Sequence, residues 1–263
     1  MHPSSLSSFV DQLQEGGRYV FTLKEARKLG GRSESGLKIA LGRLKKQGRI
    51  VSPRQGFFVI VPLEYRRAGA PPASWFIDDL MRYMRQPYYV GLLSAAAIHG
   101  AAHQQPMVFQ VVTDRPTRAS RAARIRIEFH MHGQVKSLPV GEVQTETGTM
   151  RVATPEVTAF DLVRYSEAAG HMGNVVTILA ELSEKLDPRA LAKVAPHYAT
   201  PDVQRLGYLL EAIGHQDIAL PLKESLPKRK PRPVPLVTGR STKGLKADPG
   251  WKVLPNHELE SDL

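Results

Sequence analysis

Three apolar stripes with helical spacing occupy the first 50 residues of the chain. Apolar residues recur every three or four positions, which predicts amphipathic helices over 6–13, 22–29 and 33–47. Glycine pairs follow the first two helices, and Gly48 stands where a helix C-cap is expected after the third. The stripe of the third helix consists of Leu37, Ala40, Leu41 and Leu44. The chain therefore begins with three short amphipathic helices.

Two short apolar runs follow the third helix. They lie within 50–61 on either side of a Pro-Arg-Gln-Gly turn and predict a β-hairpin. Another short extended run, 18–21, separates the first two helices. The order helix, strand, helix, helix and hairpin is that of a winged helix-turn-helix, in which the third helix is the recognition helix. We therefore expect a winged helix-turn-helix domain over residues 1–66.

The remainder of the chain groups strand patterns between helical ones. The helical segments are 75–84, 94–101, 154–165, 172–185, 188–194 and 201–213, and the strand-like segments are 107–113, 125–131 and 143–152. Grouped strands favour an α+β fold over a doubly wound nucleotide-binding fold, so a larger α+β domain is expected over 74–222. Residues 223–263 form a basic, proline-rich linker and a C-terminal segment. Because that segment contains the apolar residues Trp251, Val253 and Leu254, we expect it to dock back on the domain.

The net charge of +11 is concentrated at the two ends of the chain. Residues 1–61 contain eleven Lys and Arg against four Asp and Glu, a net charge of +7. Residues 62–222 contain sixteen of each, and residues 223–263 carry the remaining +4. A basic amino-terminal domain beside a neutral middle domain suggests that the first domain binds a polyanion.

The third helix presents cations and small polar residues on its predicted outer face, which runs through Ser35, Lys38, Gly42, Lys45 and Arg49. A helix of this kind enters the major groove of duplex DNA, and its first turn contacts base edges. The candidates for base contact are Arg32, Ser33, Ser35 and Lys38. The candidates for phosphate contact are Lys24, Lys28, Arg43, Lys45 and Lys46. Arg54 and Gln55, at the hairpin tip, are expected to reach an adjacent groove or phosphate. A solvated basic helix and a protein-binding winged helix are the alternatives.

Sequence motifs for catalysis and cofactor binding are missing. Neither a phosphate-binding P-loop nor a strand-linked Gly-x-Gly-x-x-Gly occurs, and zero cysteines exclude thiol catalysis, disulfides and cysteine-ligated metals. His99 and His103 lack the third ligand of a zinc site, and Asp114 and Glu128 lack the Glu-x-Lys of a nuclease. We therefore expect a protein without enzyme activity, cofactor or metal.

The composition is that of an ordinary globular protein, with 42% hydrophobic and 23% charged residues. The first residues show no cationic stretch followed by an apolar core, which is the pattern of a secretory signal. No apolar run reaches the roughly 20 residues that a membrane-spanning helix needs. The expected location is the cytoplasm, with no membrane partner.

Several segments of the chain resemble the AbiEi-type antitoxins. The matching segments are Ala40–Ile50 with Gly56–Val59, Tyr89–Gly100, Pro106–Thr113 and Ala153–Val163. Together they cover most of residues 18–215. The resemblance implies a transcriptional repressor and antitoxin of a bacterial type IV toxin-antitoxin system, a class associated with phage defence. It also implies a neighbouring gene for a nucleotidyltransferase-like toxin and antitoxin activity in the second domain.

Two partners follow from this resemblance. The first is double-stranded DNA, namely the operator of the protein's own operon. The second is the toxin, which such an antitoxin opposes without a stable complex being implied. The alternative is a winged-helix regulator whose second domain senses a small ligand. A neighbouring nucleotidyltransferase gene would favour the antitoxin, whereas thermal stabilisation by a metabolite would favour the ligand sensor.

Overall fold

The computed structural model describes residues 5–29, 33–101, 106–226 and 231–259 of the chain, and helices and grouped strands make it an α+β protein, as expected from the sequence. The chain divides into two compact units. Unit 1 consists of Met1–Tyr89, Met107–Gly133 and Glu142–Arg151, and unit 2 consists of Val90–Pro106, Gln134–Gly141 and Val152–Leu263. Across the described ranges, no helix combines the length and the apolar character needed to cross a membrane.

Unit 1 begins with three helices and a three-stranded sheet. These elements are α1 (Leu6–Glu15), β1 (Val20–Thr22), α2 (Leu23–Arg27), α3 (Glu34–Lys46), β2 (Ile50–Arg54) and β3 (Phe57–Ile60). The strands pair antiparallel in the order β1-β3-β2, with Val20 opposite Val59 and Ile50 opposite Ile60. This element order is the one that the sequence predicts for a winged helix-turn-helix.

The three helices pack on this sheet through one apolar cluster. Its buried members are Leu6, Val10, Phe21, Ala26, Leu37, Leu41, Leu44, Ile50, Phe58 and Ile60. The rings of Phe21 and Phe58 stack with their centroids 5.0 Å apart. Each helix therefore places its predicted apolar stripe in the core, which leaves the opposite face of α3 to solvent.

The protein contains a second sheet, which has six strands. Its strands are β4 (Tyr88–Val90), β5 (Phe109–Thr113), β6 (Ser120–Ala122), β7 (Ile125–Met131), β8 (Val140–Thr145) and β9 (Gly148–Ala153). They lie in the order β6-β7-β5-β4-β9-β8, with β5 parallel and β6 antiparallel to β7. Before this sheet the chain forms α4 (Ile77–Met84), which begins two residues later than predicted.

Unit 1 extends beyond the expected domain boundary at residue 66. The reason is that β2 of the winged helix lies against β6, so the segment 107–133 joins the same compact unit. Division into separately folding domains over 1–66, 74–222 and 223–263 stays a prediction.

Unit 2 is predominantly helical. Its helices are α5 (Leu92–Ile98), α6 (Pro155–Arg164), α7 (His171–Ser183), α8 (Pro188–Val194), α9 (Thr200–Ala212) and α10 (Gln216–Glu224). The central helix is α6, which packs against α5, α7, α8 and α9 and buries every residue from Glu156 to Val163. Thr154 caps this helix by accepting a hydrogen bond from the Val157 amide, as its sequence predicts.

The C-terminal segment packs on α9 within unit 2. Its strands β10 (Val234–Pro235) and β11 (Val253–Leu254) pair parallel, and the Trp251 side chain between them in sequence is fully buried. The Gln204 side-chain amide donates hydrogen bonds to the carbonyls of Arg232 and Trp251 at 3.1 and 2.7 Å. The indole covers Gly207, where an added Cβ would overlap the ring. Residues 231–259 are thus attached to α9 by side-chain packing and by hydrogen bonds from the Gln204 side chain to backbone carbonyls.

Candidate nucleic-acid interface

The third helix, α3, has a sharply divided surface. Leu37, Leu41 and Leu44 face the core and are between 5% and 7% exposed. With 3.6 residues per turn, the positions opposite this stripe are 35, 39, 42 and 46, spaced by four, three and four residues. They are Ser35, Ile39, Gly42 and Lys46, and all four are exposed. We call these four residues the outer stripe of α3.

The outer face of α3 in the structure therefore differs from the predicted one by part of a turn about the helix axis. The predicted face included Lys45, whose ammonium lies over the Phe58 ring, 5.3 Å from the ring centroid, and which sits on the flank of the helix. It also included Arg49, whose guanidinium pairs with Asp11 and donates to Ser7 Oγ at 3.0 Å. Arg49 follows the end of α3, and its ion pair with Asp11 of α1 links the two helices. The centre of the face is instead occupied by Ile39, which sequence reasoning missed.

Ser33 begins α3 as its N-cap. Its hydroxyl accepts a hydrogen bond from the Gly36 amide at 3.1 Å and lies 2.9 Å from the Ser35 hydroxyl. Both hydroxyls are exposed, so this pair stands at the end of the helix that a winged helix points at base edges. Arg32, the remaining candidate at this end, lies outside the described residues.

Three predicted cations of α3 project freely from the helix. Lys38, Arg43 and Lys46 are exposed, and among the described residues none of them forms an ion pair. Glu34 in the first turn is 73% exposed, but Arg27 of α2 binds its carboxylate at 2.7 Å. The solvent side of α3 therefore carries its positive charge from Lys38 to Lys46.

The tip of the β2–β3 hairpin is anchored by two hydrogen bonds to residues outside the hairpin. Tyr83 donates a hydrogen bond from its hydroxyl to the carbonyl of Gln55 at 3.0 Å, and Arg54 donates to the carbonyl of Arg118 at 3.4 Å. Gly56 has a φ of +79°, and an added Cβ would lie 2.6 Å from the Tyr83 hydroxyl oxygen. The turn is held in one position, while the Gln55 side chain stays exposed.

A cavity of about 710 Å³ beside this hairpin tip has cationic walls. Lys24 and Arg27 come from α2, and Arg82 and Arg85 come from α4 and its end. Arg82 is neutralised locally because it pairs with Asp78 and Asp79 one turn away. Nothing in the sequence indicated that Arg85 lies near the helix-turn-helix, because α4 comes next to α2 only in the folded protein.

The capping box of α2 fixes the orientation of this wall. The Thr22 hydroxyl accepts from the Glu25 amide, and the Glu25 carboxylate accepts from the Thr22 amide at 2.7 Å. Burial alone would raise the pKa of Glu25, but hydrogen bonds from Arg18 and Thr22 outweigh it and hold that pKa below its ordinary value. Glu25 therefore stays ionised and leaves Lys24 and Lys28, both exposed, directed to solvent.

The histidines and carboxylates considered for metal binding or nuclease chemistry contact neighbouring groups of the protein. His99 binds the Ala153 carbonyl through Nε2 at 2.7 Å, and His103 lies outside the described residues. Asp114 pairs with Arg115, and Glu128 pairs with Arg126. Within the described ranges, no three His, Asp or Glu side chains come together to hold a metal ion.

Buried polar side chains of unit 2 bind one another. Tyr198 donates from its hydroxyl to Asp161 Oδ1 at 2.8 Å, and Ser183 Oγ lies 2.8 Å from His215 Nε2. Burial raises the pKa of Asp202, although Arg164 and Arg205 flank its carboxylate and act in the opposite direction. These hydrogen bonds and ion pairs link the helices of unit 2, and they give the buried polar side chains named here partners within the protein.

The chain is similar to a known protein family and to a solved structure. Residues 89–212 match the family model described as the AbiEi antitoxin C-terminal domain. The crystal structure of the RV2827C protein from Mycobacterium tuberculosis matches 94% of this chain and 90% of that chain, with a TM-score of 0.69 and 17% identity. At this identity the likeness shows a shared fold. Among curated proteins no sequence matches significantly. The match places an AbiEi antitoxin C-terminal domain at residues 89–212 of the chain.

Proposed function

We propose that this protein is a DNA-binding antitoxin of a type IV toxin-antitoxin system. It acts in the cytoplasm without catalysis, represses its own operon and opposes a nucleotidyltransferase-like toxin. In this proposal the winged helix of unit 1 binds the operator, and the AbiEi antitoxin domain carries the protective activity. Direct contact with the toxin is not required.

The observation that carries the DNA-binding part is the charge and exposure of α3. Its apolar stripe is fully used by the core, so its solvent side is available to a partner. That side bears free cations and a hydroxyl pair at its first turn, and Arg27 neutralises its exposed acid. Phosphates favour such a surface, and hydroxyls and lysines are able to bind base edges.

Binding of the full chain to duplex DNA is expected to weaken steeply as salt rises. If about 6 phosphates are contacted, counterion release lowers the affinity roughly 10³-fold between 50 and 200 mM salt. The measurement is a fluorescence anisotropy titration of the promoter duplex of its own operon at several salt concentrations. An affinity that is independent of salt would refute the phosphate-binding surface described here.

Base reading and phosphate binding are expected to separate by residue. Ser35→Ala or Lys38→Ala should cost about 1 to 3 kcal/mol on the operator and much less on random DNA, because base contacts carry sequence information. Lys45→Ala or Lys46→Ala should weaken both duplexes alike, since phosphates are the same in every sequence. Competition titrations with the two duplexes measure both losses. Equal losses on both DNAs for all four variants would contradict the assignment.

A further inference from the structure

The outer stripe of α3 contains one large apolar side chain. Ile39 is 65% exposed, and it lies between Ser35 and Lys46 in the centre of the face opposite the core. Single exposed apolar residues are common on protein surfaces, and position decides whether one has a role. Here the position is the middle of the helix face that a winged helix directs into the major groove.

Gly42 adjoins Ile39 on the same stripe, three residues later. It lies inside α3, and an added Cβ would have open space around it, with nothing within 4 Å. Its φ is not in the left-handed region, so the backbone does not need glycine there. Glycine lowers helix stability relative to alanine, which means that the fold itself gives no reason for this residue. Close approach of a partner to the helix would supply such a reason.

We propose that Ile39 reads thymine by packing on its C5-methyl group in the major groove, while Gly42 provides room for the base pairs to approach. The inference rests on the proposed DNA binding and adds a specificity determinant to it. The thymine methyl is the apolar group that a base pair presents in the major groove, and apolar side chains recognise it. Isoleucine suits this contact because β-branching fixes its χ1 angle in a helix, so little side-chain freedom is lost on binding.

The test removes the methyl group from the DNA and the side chain from the protein. Duplexes are selected from a random pool by the full chain, and each thymine of the preferred sequence is then replaced by deoxyuracil. At one or two positions the replacement is expected to weaken binding about 4-fold, which is the contribution of one buried methyl group. In Ile39→Ala the same replacement should have no effect, because the apolar partner is already gone.

Two further variants complete the design. Leu63 is also a large exposed apolar residue of unit 1, at 70%, but it lies outside α3, so Leu63→Ala should keep the sensitivity to deoxyuracil. Gly42→Ala should weaken DNA binding roughly 10-fold through crowding at the interface, while its melting temperature stays equal to or above that of the unchanged chain. A lower melting temperature for Gly42→Ala would show that the fold needs this glycine and would overturn its assigned role.

The outcomes separate this inference from the proposed function. Salt-dependent binding with no effect of deoxyuracil at any position would overturn thymine reading and leave DNA binding in place. No salt-dependent binding at all would overturn DNA binding itself. If Ile39→Ala converted a dimer into a monomer while the methyl sensitivity persisted, Ile39 would belong to a contact between copies of this chain, and the inference would be wrong.

Discussion

Reversing two charges on α3 is expected to abolish operator binding without loss of antitoxin protection. Lys38→Glu combined with Lys46→Glu places two carboxylates against the negatively charged DNA, on a face that the core does not use. The lost phosphate contact of Lys46 costs nearly one power of ten in affinity at 0.1 M salt, the lost base contact of Lys38 costs about 1 to 3 kcal/mol, and charge repulsion adds to both, so the loss should reach about 10³-fold. The variant should still fold, because Leu37, Leu41 and Leu44 are unchanged.

The experiment measures binding and protection separately. Operator binding is titrated in vitro, and protection is scored in cells that express the neighbouring toxin gene beside the variant from an unrelated promoter. Lys136→Glu with Lys193→Glu changes the net charge equally at exposed positions outside the winged helix, and it should bind operator normally. Failure of the folded α3 variant to protect cells would show that neutralisation requires DNA binding, and the proposed division between the two activities would then be wrong.

Gly207→Ala is expected to destabilise unit 2 by about 3 kcal/mol. The added methyl group would overlap three carbons of the buried Trp251 ring, and neither α9 nor a fully buried indole yields cheaply. The ring must therefore leave its site or α9 must move. Chemical denaturation gives the change in the free energy of unfolding. In a Trp75→Phe background Trp251 is the single tryptophan, so its emission reports whether the ring has been displaced.

The matched control is the same substitution at Gly42, a glycine in the middle of α3. Gly42→Ala meets open space and should raise stability by about 0.5 to 1 kcal/mol. Opposite signs for one chemical change isolate the contact with Trp251 from the general effect of alanine on helices. Equal stabilisation by both substitutions, with unchanged Trp251 emission, would mean that the indole does not occupy this site.

Local signals in the sequence were sufficient to predict an element where a helix cap or a regular apolar period marked it. Helix α8 runs over Pro188–Val194 as predicted, because Asp187 caps it and proline suits its first position. The strands β4 and β6 were missed, since each is three residues long and β6 exists only through pairing with β7. Helix α10 was missed because Pro221 lies inside it, where proline normally ends a helix.

The same distinction applies to the candidate site. The recognition helix and its buried stripe were readable from spacing alone, and Ser33 was correctly placed at the helix start. The capture of Arg49 by Asp11 was not readable in this way, since it joins residues 38 positions apart. A count of positions opposite Leu37, Leu41 and Leu44 would have identified Ile39. The approach of Arg85 to Lys24 requires the tertiary fold, and no local pattern encodes it.

The late position of Trp251 in the chain has a consequence for synthesis on the ribosome. Gln204 and Trp251, joined by a hydrogen bond in the folded protein, are 47 residues apart. At about 5 to 20 residues per second, α9 exists for roughly 2 to 9 seconds before its covering ring has been translated. During this interval the notch at Gly207 has no ring to cover it. Ribosomes that stop before codon 251 therefore release chains whose α9 is open to chaperones and proteases.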